Sequence, residues 1–209
     1  MDFVSARQNM VDSQVRTNDV TELHLQKAMR AVPRERFVAP GRAFAAYAEI
    51  EVEIAPGRWL MKPRDIGKLL QAAGPRAGER ALAIAAPYAA ALLSHMGLSV
   101  VAQEEDRRVA LVVETALADA GVALKLEPLA TPVGGPWDLI VSEGAVAETP
   151  RSWLDALAPG GRLAIVEREG PVGKAKLWVR TASGPAPREV FDAIPPVLAG
   201  FERAPTFEF

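Results

Sequence analysis

RALAIAAPYAAALLSHMG, residues 80–97, is the stretch whose reading decides the fold. After Arg80 the run to Ala85 has no polar residue, which predicts a strand buried on both faces over 80–85. A tight turn, Ala85-Ala86-Pro87-Tyr88, leads into a helix predicted over 88–96. A second strand follows over 98–103 and ends in the acidic pair Glu104 and Glu105. Strand, turn, helix, strand and acid in that order make the nucleotide-binding half of a doubly wound α/β domain. Glycines normally occupy the first turn, because backbone without a Cβ lets a ligand lie against the strand end and the helix N-terminus. This turn contains none.

Outward from that unit the elements keep alternating. Residues 106–120 carry Val109, Val112, Val113, Ala116 and Leu117 on one helical face, with Gly121 closing the helix. A strand near 122–127, a Pro/Gly-rich loop and the apolar run Trp137 to Val141 come next. Thr149 and Pro150 have the N-cap and first-turn signature of a helix ending by Ala158. RLAIVER (162–168) and KLWVRTA (176–182) read as two late strands forming a hairpin, and the tail through FEF (207–209) as a final one. Upstream, helices are expected over 3–16 and from Asp19 to Pro33, the second started by a capping box of Asp19 and Glu22. Alternation over Tyr47 to Ile54 predicts a short strand, and Arg64 to Ala73 a helix stopped by Gly74 and Pro75. The fold class is therefore α/β: a single doubly wound, mostly parallel sheet with antiparallel edge strands, preceded by N-terminal helices. One domain is expected over 1–209, with 1–75 as a helical cover and substrate-side segment and 76–209 as the Rossmann-like core.

Composition excludes several function classes. A formal charge of −2 argues against a nucleic-acid partner, and no window is apolar for long enough to span a bilayer. With no cysteine there are no disulfides or thiolate sites, which fits a cytoplasmic protein. His24 and His95 stand far apart without ligand spacing, so no metal site is expected. The nucleophile elbow, the zinc-protease helix motif and the phosphate loop are all missing from the sequence.

Several ordered stretches together resemble the protein-L-isoaspartate O-methyltransferase family: RQNMVDSQVR (7–16), KAMRAVPRERFV (27–38), AAYAEIEVEI (45–54), YAAALLSHMG (88–97), WDLIVSEGAV (137–146) and PGGRLAIV (159–166). The resemblance implies a class I methyltransferase fold, S-adenosylmethionine as cofactor, a protein or peptide substrate methylated at isoaspartyl carboxylates, and a role in protein repair. It also implies positions. The family's cofactor loop runs acid, apolar, Gly, x, Gly, x, Gly, Tyr; here Ala83 stands at the acid, Ile84 at the apolar position and Tyr88 at the tyrosine. Between Ile84 and Tyr88 three residues, including Ala85, replace the family's five. Glu104, with Glu105 as the near alternative, matches the carboxylate for the ribose hydroxyls. Met61, Lys62 and Pro63 occupy the family's catalytic Ser-x-Pro region, with methionine where the hydroxyl belongs.

Three readings of function follow and stay open at this point. One is S-adenosylmethionine-dependent methylation of isoaspartyl protein. The other is a catalytically inactive methyltransferase fold kept as a binding or assembly module. A third, binding of another nucleotide or a small acid through Lys62 and Glu104, uses the local basic patch of Arg58, Lys62 and Arg64.

Overall fold

The computed structural model describes residues 2–203. Its centre is β3 (Arg80–Ile84), in which Ala81, Leu82, Ala83 and Ile84 have no exposed surface. Side chains alternate across a strand, so Ala81 and Ala83 face one core while Leu82 and Ile84 face the other. The small pair lets α4 (Pro87–His95) lie close on the first face; the large pair fills the second against Trp153 and Leu198. Burial of Leu82 and Ile84 contributes about 1.5–3 kcal/mol each.

The seven strands run in the order β5-β4-β3-β6-β7-β8-β9, namely Ala123–Leu126, Ser99–Glu104, β3, Trp137–Val146, Leu157–Glu167, Gly173–Thr181 and Gly184–Ala193. β3 to β7 pair parallel, and β8 and β9 add antiparallel at one edge. The crossovers through α4 and α5 (Arg107–Asp119) pack on the first face. The return from β5 to β6, carrying Leu129 and Val133, and α6 (Arg151–Asp155) pack on the second. The chain therefore reverses direction between β3 and β6, and the carboxyl ends of those strands form the crevice where open α/β sheets place ligands. Pro185 and Pro187 on β9 lack amide donors and blunt that edge against further pairing.

Before the sheet come α1 (Phe3–Met10), α2 (Leu23–Ala31), the hairpin of β1 (Val52–Ala55) and β2 (Arg58–Leu60), and α3 (Pro63–Ala73). Four expectations are corrected here. The helix expected over 3–16 leaves α geometry at Val11, continuing as a π turn to Val15 and a 3-10 turn to Asn18. Asp19 is no capping residue: it closes that turn in the left-handed region at φ 64°. The cap of α2 is Glu22, whose carboxylate accepts from the His24 amide at 3.0 Å, while the Thr21 and Glu22 amides donate to Gln71 Oε1. The strand expected from Tyr47 begins only at Val52, because Tyr47 turns inward and its hydroxyl bridges Arg7 and Glu35. Finally, α6 starts at Arg151; Thr149 instead gives its amide and hydroxyl to Glu167. The FEF segment lies outside the described residues.

Candidate functional site

The crevice is lined by the β3–α4 turn, the ends of β4 and β6, and the segment 58–63. In the turn, Ala85 takes φ 50°, a left-handed conformation uncommon for a residue with a Cβ. Its amide donates to the Gln103 carbonyl at 2.9 Å. Pro87 opens α4 without an N–H, and the Ala90 amide closes the first helical turn on Ala86. The Ala89 amide donates to Glu143 Oε1 at 2.9 Å.

Glu143 is fully buried at the distal end of β6, and its other oxygen accepts from the Met61 amide at 3.3 Å. Its carboxylate thus sits on the positive end of α4, which favours a negative charge. Burial nevertheless pushes its carboxyl above the ordinary range, against the pull of Arg34 and the amides. Arg34, also fully buried, donates to the carbonyls of Ala46 and Met61 and lies 4.7 Å over the Tyr88 ring. Tyr88 has no exposed surface and meets Phe37 edge-on at 5.6 Å; burial raises its hydroxyl well above the usual tyrosine range.

At the end of β4, Glu104 is 3 % exposed and bound in a bidentate pair by Arg58, Nε to Oε2 at 3.0 Å and Nη2 to Oε1 at 2.8 Å. The amides of Glu105 and Asp106 also donate to Oε1, at 2.9 and 3.0 Å. Three of these four N–H groups converge on Oε1 and one on Oε2, so the Arg58 pair and the two amides together hold the carboxylate in place. Glu105 is exposed and accepts the Leu129 amide at 3.1 Å.

The remaining sequence candidates lie on the other wall. Met61 is buried and Pro63 starts α3. Lys62 Nζ is 3.5 Å from Glu51, and Arg64 Nε is 3.1 Å from both Glu49 and Asp65. The three cations of the expected basic patch, Arg58, Lys62 and Arg64, are therefore each matched by an acid of the chain itself. So the structure packs Met61 and Tyr88 in one core and Ile84 and Ala85 in the other, with Glu104 at the neighbouring strand end. Sequence reasoning missed Arg34 and Glu143. Both lie in stretches that carry the resemblance, Arg34 in KAMRAVPRERFV (27–38) and Glu143 in WDLIVSEGAV (137–146), but nothing local marks either as a site residue. A concavity of 370 Å³ opens elsewhere, among Val32, Phe37, Ala91 and Ala116.

No protein-family model matches the chain. Full-length relatives do. The protein-L-isoaspartate O-methyltransferase of Methylorubrum populi is 32% identical over 206 residues, 94% of this chain and 96% of that protein. The chain belongs to the protein-L-isoaspartate O-methyltransferase family. A second isoaspartate methyltransferase, from an Anaeromyxobacter species, is 35% identical over 86% of this chain and 77% of its own length. The fold agrees: a solved isoaspartate methyltransferase superimposes with a TM-score of 0.77 at 20% identity, covering 94% of this chain and 67% of that one. A Plasmodium falciparum structure described as a putative family member in complex with S-adenosyl-L-homocysteine gives 0.77 at 16% identity, covering 95% and 98%.

The family's methyl donor is S-adenosylmethionine. A ribose diol needs a carboxylate with free lone pairs, and the amino-acid end needs open backbone against the strand end. Here Glu104 is buried in a bidentate pair with Arg58, Ala85 and Ala86 are buried with their Cβ atoms in the turn, and Glu143 already occupies the Ala89 amide. In this conformation the residues of the crevice do not fit that group.

Proposed function

We propose that this chain works as a cofactor-free binding or assembly module on the isoaspartate methyltransferase scaffold, in the cytoplasm and with a protein as partner. The observation that supports this reading is the buried bidentate pair of Arg58 with Glu104. The shortened turn adds to it, since Pro87 has no amide and those of Ala85 and Ala89 are used internally.

The second reading is the family reaction, methylation of isoaspartyl carboxylates by S-adenosylmethionine. It draws support from 32% identity across nearly the whole chain. A carboxylate is already a nucleophile and sulfonium a good leaving group, so such a transfer rests mainly on positioning. Loss of the hydroxyl at Met61 alone is therefore compatible with activity.

Calorimetric titration of the purified protein with S-adenosylmethionine and S-adenosylhomocysteine decides between them. The binding-module reading expects no heat and no thermal shift at millimolar ligand. Micromolar affinity, about −8 kcal/mol, together with labelled methyl transfer to an isoaspartyl peptide, would establish the family reaction and end the first reading.

A further inference from the structure

We propose that Arg58 is a built-in occupant of the nucleoside half of the crevice, held on Glu104 where a ligand's ribose diol would otherwise bind. Arg58 comes from the β1–β2 hairpin and reaches the end of β4 across 46 residues of sequence. Both ends of the contact are sealed, with side-chain exposures of 5% and 3%. A planar guanidinium matches a carboxylate bidentately, and here it uses Nε and Nη2 to do so. A diol could displace it only by leaving a buried guanidinium without its counter-charge, which is strongly unfavourable. Glu143 on the α4 amides plays the matching part in the other half, as an internal carboxyl group at a helix start. The crevice is thus filled from within, by a guanidinium at one end and a carboxyl group at the other.

The fixed pair stands independently of the function proposed above; only the exclusion of ligand rests on that reading. Two experiments on the full-length chain separate them. In the first, a double-mutant cycle, Arg58→Met and Glu104→Met each leave a buried charge unmatched, and each is expected to lower the melting temperature by roughly 10 °C. The double variant, an apolar pair, is expected to lose less than either single one. Additive losses would overturn the proposal. Arg58→Gln keeps an N–H donor for Glu104 and is the variant expected to stay folded for the second experiment. Adenosine is titrated while the amide resonances of Gln103, Glu105 and Asp106 are followed. The Gln variant is expected to bind at least about tenfold more tightly than the unaltered protein, a gain of about 1.4 kcal/mol. Equal responses, including none in either protein, overturn the exclusion by Arg58. Tight binding of S-adenosylhomocysteine by the unaltered protein removes the cofactor-free function as well, whereas additivity in the cycle alone removes only the built-in occupant.

Discussion

Glu143 is where one side chain carries a measurable cost for the whole protein. Its carboxylate accepts the Ala89 and Met61 amides but has no solvent around it, and burial outweighs Arg34 in setting its ionisation. The folded carboxyl titrates above its ordinary value of 4.5, and that of Glu49 is displaced the same way by burial. A raised folded pKa means that the stability contribution is fully present below pH 4.5 and is lost as pH rises through the folded value. Glu143→Gln removes this dependence. At pH 5 it is expected to cost about 1 kcal/mol, because one amide loses its acceptor. By pH 8 the difference from the unaltered protein should have moved in favour of the Gln variant. Urea melts at both pH values check this; a difference that stays constant refutes the account. Glu104 shows how far one residue is legible in sequence. Its place at the end of the second strand was readable from the apolar run before it, whereas its partner Arg58 was not, because nothing local links a hairpin arginine to an acid 46 residues away.

Among the elements, those with a continuous apolar run or a clear apolar stripe were the easiest to read. β3, β4, β6, α4 and α5 fall within a few residues of their expected positions, since continuous apolar runs and a helical stripe leave little choice. Tertiary contacts account for the elements misread. Asp19 and Glu22 have the spacing of a capping box, yet the carboxamide of Gln71 from α3 takes the Thr21 and Glu22 amides first. Tyr47 alternates like a strand residue but is drawn inward by Arg7 and Glu35. The β3–α4 turn was legible in composition but not in shape: no glycine predicts ordinary dihedrals, and Ala85 nonetheless sits at φ 50°. That geometry makes a sharp prediction. A β-branched side chain is far more restricted in the left-handed region than alanine, and the site has no exposed surface to relax into. Ala85→Val is expected to destabilise the protein by about 2–4 kcal/mol, measured as a lower urea midpoint with an unchanged slope. A loss under about 0.5 kcal/mol, the ordinary range for a harmless surface change, would show that the turn is not held as described.

At the scale of the molecule, the question is whether the first 75 residues fold with the sheet or merely cover it. One apolar core contains Met10, Val15, Leu25 and Met29 from the N-terminal layer together with Ala83, Val141 and Ala164 from the strands. Arg162 on β7 adds a polar clamp, donating to the carbonyls of Ala73 and Gly74 at the end of α3 while pairing with Glu79 at 2.7 Å. Arg58–Glu104 joins the hairpin to β4, and Glu143–Met61 joins it to β6. None of these ties was visible in sequence, where composition alone suggested a cover and a core. Contacts that cross a boundary in such number make separate melting costly, because opening the N-terminal layer would expose buried apolar surface and take Arg58 from Glu104 and the Met61 amide from Glu143. One cooperative transition is therefore expected in urea. Trp59 lies in the N-terminal layer, and Trp137, Trp153 and Trp178 lie in the sheet region. Fluorescence from a protein keeping only Trp59 should therefore change at the same midpoint as far-ultraviolet circular dichroism of the sheet. An earlier fluorescence midpoint would mean that the layer opens on its own, and with it the crevice that Arg58 and Glu143 now fill.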